Sequence, residues 1–318
     1  MPSMHPLISE IFSESSISLT DLQDCSNGIY LHKSTGQKYF TKVQFDIEQM
    51  KGEIEGLKEM YKTAGNTGLI PKVLGFKINQ DKKESVMVTQ YFELNSSSSS
   101  KEEFQKELGF KLSKMHNLPP EKEEKGKDKD KSNYNNNEKD KFGFYVNTHC
   151  GITKQNNEFT ENWEEFFRDK RLGDLINRIE DSTINKEWEI MKEKTIPILL
   201  RSFNPPPKPV VLHGDLWSGN KGFDLISKSV VIFDPACYFG HNEADLGITH
   251  MFGGFTKDFY DSYHSIHPKS KPYYEERQKL YELYHHLNHT LMFGGGYKSG
   301  TLSIMRNLND WAKDKEIP

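Results

Sequence analysis

Residues 213–220 read HGDLWSGN, a polar and glycine-rich segment that directly follows the apolar run 209–212. A second apolar run, 230–233, ends in Asp234, fourteen residues beyond Asn220. Carboxylate and amide oxygens at the ends of short strands can accept a proton or hold a divalent cation. The same residue types also form ordinary turns. The pattern therefore predicts two short strands that end either in plain turns or in a reactive site.

The spacing from His213 through Asp215 to Asn220, H-x-D-L-x-x-x-N, matches the catalytic loop of protein-kinase-like phosphotransferases. In that loop the aspartate accepts the proton of the attacking hydroxyl and the asparagine binds Mg²⁺. A carboxylate after the following strand is the second metal ligand, in a D-F-G sequence that reads D-P-A here. We therefore predict Asp215 as the catalytic base, and Asn220 and Asp234 as ligands of Mg²⁺.

A kinase also needs a lysine on the ATP phosphates and an acidic partner for that lysine. Lys42 lies inside the apolar run 39–43, and Glu53 follows eleven residues later on a helical pattern at 47–61. A strand lysine followed by a helix glutamate is the order found in kinases. Either residue alone would more often be a surface charge. Together they predict an ATP site in which Glu53 holds Lys42.

The run 86–92 leads to the predicted junction between two lobes, where a kinase hinge would offer backbone groups to adenine. By this position, Gln90, Tyr91 and Phe92 are the predicted adenine-binding residues. Backbone recognition leaves little trace in the side chains, so an ordinary edge strand stays the open alternative.

Short β-branched and aromatic runs mark the chain up to residue 92, and apolar residues at helical spacing dominate from residue 163. This order predicts an α+β, protein-kinase-like two-lobe fold, similar to that of aminoglycoside phosphotransferases. An ATP-binding lobe with a small antiparallel sheet is expected at 1–92, and a larger, mainly helical catalytic and substrate lobe at 93–318. The serine-rich segment 95–100 and the Lys-, Glu- and Asn-rich segment 119–141 predict disordered insertions.

Composition excludes several classes of protein. The 318 residues carry 42 basic and 46 acidic side chains, a formal charge of −4, so no basic field is expected to hold nucleic acid. No run approaches the 18 apolar residues of a membrane span, and no membrane association is predicted. Three scattered cysteines favour a reducing, cytoplasmic setting over a disulfide framework. Nothing in the sequence predicts the oligomeric state.

Five motifs together resemble the fructosamine kinase / ketosamine-3-kinase family, and they span most of the chain apart from the two insertions. They are HGDLWSGN at 213–220, FDPACYFGH at 233–241, MFGGF at 251–255, KFGF at 141–144 and LNH at 287–289. The resemblance implies ATP- and Mg²⁺-dependent phosphorylation of the C3 hydroxyl of ketosamines, free or bound to glycated proteins. Ribulosamine, psicosamine and fructosamine on lysine are the implied substrates. Their 3-phosphates eliminate and release the amine, which amounts to protein deglycation.

Four residues are candidates for binding the ketosamine. Trp217, between the predicted base and the predicted metal ligand, is either a buried anchor or a flat platform for the sugar. His241, Glu243 and His289 are candidates for hydrogen bonds to sugar hydroxyls or to the ketosamine nitrogen. Each of these three is equally well explained as a structural residue with its own partners.

Two other functions stay open. An aminoglycoside-like or choline-like small-molecule kinase would use the same base and metal ligands. A metal-dependent hydrolase would instead build its centre from histidine and aspartate, here His213, Asp215, Asp234, His241, Asp245 and His250. The hydrolase reading gives Lys42 and Glu53 no task.

Overall fold

An antiparallel sheet of five strands forms the first part of the chain in the computed structural model, which describes residues 4–95, 101–117 and 140–318. Its strands are β1 (Leu22–Asp24), β2 (Ile29–His32), β3 (Lys38–Gln44), β4 (Val73–Asn79) and β5 (Glu84–Gln90). They lie in the order β1-β2-β3-β5-β4. The predicted insertions at 95–100 and 119–141 fall, apart from residues 95, 140 and 141, outside the described residues.

Two helices, α1 (Pro6–Glu14) and α2 (Ile47–Ala64), cover the two faces of this sheet. Side chains alternate between the faces along a strand. In β5, Val86 and Val88 pack with the apolar residues of α1, whereas Met87 belongs to the core that contains α2. Lys42 is paired with Met87 in the sheet register, so its side chain lies on the α2 face.

Helix α2 is fixed at its start and along its length. The Asp46 carboxylate accepts a hydrogen bond from the Gln49 N–H at 2.9 Å and caps the helix. Gly52 and Gly56 allow close approach to the second lobe, because a Cβ there would lie 2.5 Å from the Asn147 carbonyl oxygen and 2.7 Å from Cys237 Cβ. The helix of the sheet lobe is thus seated directly on the second lobe.

The chain enters its second, mainly helical part through β6 (Leu94–Asn95), which pairs with β10 (Lys221–Asp224). Its other strands are β7 (Thr148–Cys150), β8 (Thr153–Gln155), β9 (Val210–Leu212), β11 (Ser229–Ile232) and β12 (Tyr238–Gly240). Its helices are α3 (Glu102–Asn117), α4 (Trp163–Glu165), α5 (Asp174–Ile179), α6 (Ser182–Ile190), α7 (Ile196–Arg201), α8 (Lys257–His264), α9 (Tyr274–Phe293) and α10 (Gly295–Ala312).

The long helix α9 packs against α5, α7 and α10, whereas α3 packs against α8. Two π-helical segments, Phe166–Gly173 and Met191–Thr195, join α4 to α5 and α6 to α7. Arg277 of α9 is fully buried and forms an ion pair with Glu243 at 2.9 Å. Within the described residues, no helix has the length and apolar character needed to cross a membrane.

Candidate active site

The segment 213–220 forms a tight loop between β9 and a short 3₁₀ helix at Ser218–Asn220. Gly214 has a φ of 79°, and a Cβ there would lie 2.1 Å from the Ala236 carbonyl oxygen, so only glycine fits. The Ala236 N–H donates to the His213 carbonyl at 2.9 Å. Neutral His213 donates from Nε2 to the Phe233 carbonyl at 2.8 Å. The loop is therefore fastened to the chain that leaves β11.

The Asp245 carboxylate holds the loop at 213–220 in place. This carboxylate accepts the backbone N–H groups of His213 at 2.8 Å and Gly214 at 2.7 Å. His116 donates to the same carboxylate from Nε2 at 3.2 Å. Burial alone would raise the pKa of Asp245, but the His116 and Gly214 hydrogen bonds outweigh it and lower the pKa. Asp245, one of the metal ligands of the hydrolase alternative, therefore holds the predicted catalytic loop through backbone hydrogen bonds, a role that was not predicted.

Asp215, Asn220 and Asp234 meet at the floor of one cavity. The Asn220 Nδ2 group donates to the backbone oxygens of Asp215 at 2.9 Å and Asp234 at 3.3 Å. Because both contacts use the amide nitrogen, the amide oxygen is left to act as a ligand. Asp234 adopts a left-handed conformation, with a φ of 55°, immediately after β11. Such backbone strain is tolerated by aspartate and is common at functional sites.

The environment of Asp215 favours the protonated carboxyl. Burial, opposed by a hydrogen bond from the Cys150 thiol and reinforced by the charges of Asp234 and Asp245, raises its pKa to about 7. Burial and the nearby Asp215 charge also raise the pKa of Cys150 well above its usual range, so Cys150 is a neutral thiol donor. A carboxyl that titrates near neutrality is suited to proton transfer.

The sheet lobe contributes a cation to the same cavity. Lys42 on β3 donates to Glu53 on α2 at 2.6 Å, and both side chains line the cavity with Asp215, Asn220 and Asp234. Burial raises the pKa of Glu53, and the attraction of Lys42 opposes this shift. The two halves of the predicted constellation, more than 150 residues apart in the sequence, are thus brought together.

The cavity has a volume of about 250 Å³, and four of its lining residues were not predicted, namely Gln49, His149, Gly151 and Pro235. His149 and Gly151 come from the β7–β8 hairpin, which packs on α2. Gln49 donates to the Gly151 carbonyl at 2.9 Å and joins the two lobes at the cavity edge. A larger hollow of about 420 Å³ on the helical lobe is lined by none of the motif residues.

The predicted adenine-binding residues lie at the end of β5, where the chain crosses between lobes. The N–H groups of Gln90 and Tyr91 already donate to the carbonyls of Lys72 at 2.8 Å and Lys38 at 3.1 Å. Phe92 is buried, and the next N–H, that of Glu93, donates to Asp224. The N–H groups of Gln90 and Tyr91 therefore already have partners within the protein. The predicted contacts to adenine that remain are the Phe92 N–H group and the carbonyl oxygens of the three residues.

The predicted sugar platform is exposed. Trp217 lines the cavity and is 39% exposed, and its indole lies against Gly219, where a Cβ would come within 2.3 Å of the ring. The His289 Nδ1–H donates to the His285 carbonyl at 2.7 Å, and burial lowers the pKa of His289. Its neutral ring therefore offers Nε2 as a hydrogen-bond acceptor, which suits a hydroxyl or an ammonium group.

His241 and Glu243 are almost completely buried, and among the four sugar candidates Trp217 alone lines the cavity. His241 shares a hydrogen bond with the Tyr281 hydroxyl at 2.8 Å. Glu243 is occupied by Arg277 and by the Ser270 N–H. These contacts give both residues structural partners, which was the alternative left open by the sequence.

The histidines and aspartates of the hydrolase alternative are not gathered around one point. His213, His241 and Asp245 are engaged in the contacts given above. Among the residues that the structure describes, the one three-membered group with suitably close donor atoms is Cys150, Asp215 and His285. The arrangement favours a site for phosphates and a hydroxyl acceptor over a hydrolase centre.

Comparison with known proteins agrees with this geometry. Residues 22–310 match the family model described as fructosamine kinase. A ketosamine-3-kinase of Mus musculus is 44% identical over 174 residues, a match that spans only 54% of each chain. A chloroplastic protein-ribulosamine 3-kinase of Oryza sativa subsp. japonica is 36% identical over 88% of this chain and 75% of its own length.

Two solved structures share the fold. A Haemophilus somnus 129PT protein named for fructosamine-3-kinase activity superimposes with a TM-score of 0.72 at 23% identity, covering 95% of this chain and 96% of its own. Aminoglycoside phosphotransferase APH(4)-Ia, solved with AMP-PNP and hygromycin B, gives 0.59 at 12% identity, covering 97% and 99%. The predicted α+β, protein-kinase-like fold is confirmed.

Proposed function

The chain belongs to the fructosamine kinase family, and we propose that it transfers the γ-phosphoryl group of ATP to the C3 hydroxyl of ketosamines. The observation that carries this proposal is the convergence of Lys42 with Asp215, Asn220 and Asp234 on one cavity between the lobes. The names of the mouse and rice relatives support a ketosamine acceptor. The AMP-PNP complex of the aminoglycoside phosphotransferase supports ATP as the donor.

In this proposal, each of the five predicted polar residues of the cavity has one task. Asp215 accepts the proton of the C3 hydroxyl as that oxygen attacks phosphorus. Lys42, held by Glu53 at 2.6 Å, binds the α and β phosphates. The Asn220 amide oxygen and the Asp234 carboxylate are the hard oxygen ligands that Mg²⁺ prefers, so the residues present fit the ion. When bound, Mg²⁺ would neutralise charge on the transferred phosphoryl group.

The acceptor sugar lies against Trp217. Its exposed indole offers an apolar face to the C–H groups of a sugar, beside the carboxylate that takes the proton. His289, whose Nδ1 is bound to the His285 carbonyl, would use its free Nε2 to accept a hydrogen bond from the ketosamine ammonium group or from a hydroxyl. Phosphorylation at C3 makes phosphate a leaving group. Its elimination leaves an imine, and water hydrolyses this imine to a deoxy-dicarbonyl sugar and the free amine. On a protein-bound ketosamine the outcome is deglycation of the lysine.

The pH dependence should reveal the base. Asp215 must be deprotonated to accept a proton, and its pKa is raised to about 7, mainly by burial. We therefore expect kcat/KM to fall about tenfold for each pH unit below neutrality, because the active, ionised fraction shrinks. Initial rates from pH 5 to 9 at saturating Mg²⁺ would measure this limb. A kcat/KM that stays constant down to pH 5, as expected for an aspartate with the ordinary pKa of 3.8, would contradict the assignment.

Substrate profiling separates the proposed function from the small-molecule kinase alternative. The protein is incubated with Mg-ATP and with ribulosamine-, psicosamine- or fructosamine-lysine, and in parallel with choline and hygromycin B. We expect ADP release with at least one ketosamine, accompanied by a sugar 3-phosphate signal in ³¹P spectra. EDTA should abolish the signal. Turnover of choline or hygromycin B without turnover of any ketosamine would overturn the proposed function.

A further inference from the structure

Two sequence motifs, MFGGF at 251–255 and LNH at 287–289, meet beside the catalytic loop. The Phe252 ring lies 5.9 Å from the Trp217 ring and 5.2 Å from the His289 ring. Gly254 has a φ of 86°, and a Cβ there would lie 2.7 Å from Ser218 Cβ, so the loop rests on the catalytic loop. The motifs therefore form one wall at the mouth of the cavity.

This wall continues outward as a row of rings. His289 lies 5.5 Å from Phe293 and 4.9 Å from Tyr297, and these two rings are 5.9 Å apart. We call the five side chains the aromatic strip: Trp217, Phe252, His289, Phe293 and Tyr297. Trp217, Phe252 and Phe293 are 39%, 41% and 65% exposed. Half-buried His289 links Phe293 and half-buried Tyr297 to the two exposed rings at the cavity. Apolar patches that join several side chains mark interaction sites, whereas isolated exposed apolar side chains are common.

A second contact ties the outer end of α9 to the cavity. The Met292 sulfur lies 3.0 Å from where a Cβ of Gly151 would be, and Gly151 lines the cavity. Beyond Phe293, the glycines at 294–296 would meet nothing within 4 Å of an added Cβ. The strip thus begins at the acceptor site and ends at an open surface that leaves room for a second chain.

We propose that the aromatic strip binds the polypeptide that flanks the modified lysine of a protein-bound ketosamine, an inference that rests on the proposed function. The cavity of about 250 Å³ is smaller than the about 300–1,000 Å³ of typical small-ligand pockets, so it has no room for a peptide beside the reacting sugar. The peptide attached to the ketosamine nitrogen must therefore lie outside. The strip is the apolar surface that is continuous with the sugar platform.

The composition of the strip also defines the kind of peptide. Apart from neutral His289, none of its five residues is acidic or basic. Flat rings contact peptide planes and aliphatic side chains without selecting charge. An extended segment with apolar residues beside the modified lysine is the expected ligand, and a free ketosamine does not reach the outer rings.

The test compares one sugar on two carriers. The wild type and Phe293→Ala are assayed with the ketosamine of methylamine and with a nonapeptide that carries the same sugar on a central lysine flanked by leucines. We expect kcat/KM for the peptide to fall about tenfold in the variant, the usual scale for losing one aromatic contact. Turnover of the methylamine ketosamine should not change. A serine-flanked nonapeptide should show a smaller loss.

Controls separate this result from other causes. Phe110→Ala removes a 48% exposed phenylalanine from α3 and should leave kcat/KM for both substrates unchanged. Tyr297→Ala should lower kcat/KM for the peptide as Phe293→Ala does, so either variant alone is sufficient to test the proposal. Equal losses on both carriers, or no loss on either, would overturn the proposal. Light scattering would also overturn the proposal if it showed that the wild type is a dimer and that Phe293→Ala dissociates it, because the strip would then bind a second copy. If the wild type phosphorylates neither ketosamine, the proposed function itself is wrong.

Discussion

Replacing Asp215 with asparagine should lower turnover by roughly 10²- to 10⁴-fold, the usual scale for loss of a positioned general base. The amide keeps the shape of the side chain but cannot take the proton of the attacking hydroxyl. Lys42, Asn220 and Asp234 are untouched, so binding of Mg-ADP should stay within a few-fold of the wild type. Steady-state rates and calorimetric titration with Mg-ADP would measure the two effects separately.

The same substitution should stabilise the protein at alkaline pH. The folded-state pKa of Asp215 is raised from 3.8 to about 7, so the folded protein holds this proton more tightly than the unfolded chain does. Stability is therefore lost as pH rises from about 4 to about 7, and the full penalty applies above that window. Asparagine carries no charge and escapes the penalty, which is about 4 kcal/mol at 1.36 kcal/mol per pKa unit.

Asp169→Asn is the matched control, since it changes an exposed aspartate far from the cavity and should alter neither turnover nor the pH dependence of stability. Urea unfolding of all three proteins at pH 5.5 and pH 8 gives the comparison. The gain for Asp215→Asn should be larger at pH 8. Near-normal turnover would remove Asp215 from the mechanism, and a loss of stability at pH 8 would show that its carboxylate is structurally required.

The sequence predicted those parts of the site whose spacing is set by local chain geometry. Asp215 and Asn220 lie on one tight loop, so five residues of separation fix their relation, and Gly214 is the residue that allows the turn. Lys42 could be predicted because a charged side chain inside an apolar strand must find a partner. The alternation of β3 and the cap of α2 then bring it to Glu53.

The remaining parts of the site depend on packing between distant segments. Nothing in the local sequence shows that the β7–β8 hairpin carries His149 and Gly151 into the cavity. Asp245 belongs to a polar run that reads like a metal site, and only the fold reveals that backbone N–H groups of the catalytic loop are its partners. Buried Glu243 was a candidate for the substrate because the sequence does not show that Arg277 lies beside it.

Lys42→Met should lower kcat/KM for ATP by about 10²- to 10³-fold, the scale of losing one preorganised group that stabilises transition-state charge. The Lys42 side chain lines the cavity and is 34% exposed, whereas the side chain of its partner Glu53 is 11% exposed. Glu53 is thus the buried member that fixes Lys42, and Lys42 is the member that we propose contacts the phosphates. Initial rates at varied Mg-ATP and a saturating ketosamine would measure the change.

The control is Lys77→Met, because Lys77 lies in the same sheet and forms a similar ion pair with a helix glutamate, Glu14, on the α1 face. It should leave kcat/KM for ATP unchanged. In Lys42→Met, the buried Glu53 carboxylate loses its partner. The double variant Lys42→Met/Glu53→Gln also removes that carboxylate, so it distinguishes a phosphate contact of Lys42 from a purely structural ion pair. If Lys42 served only to neutralise Glu53, the double variant would recover activity. We expect it to stay as impaired as Lys42→Met, since no other cation on β3 or α2 lines the described part of the cavity.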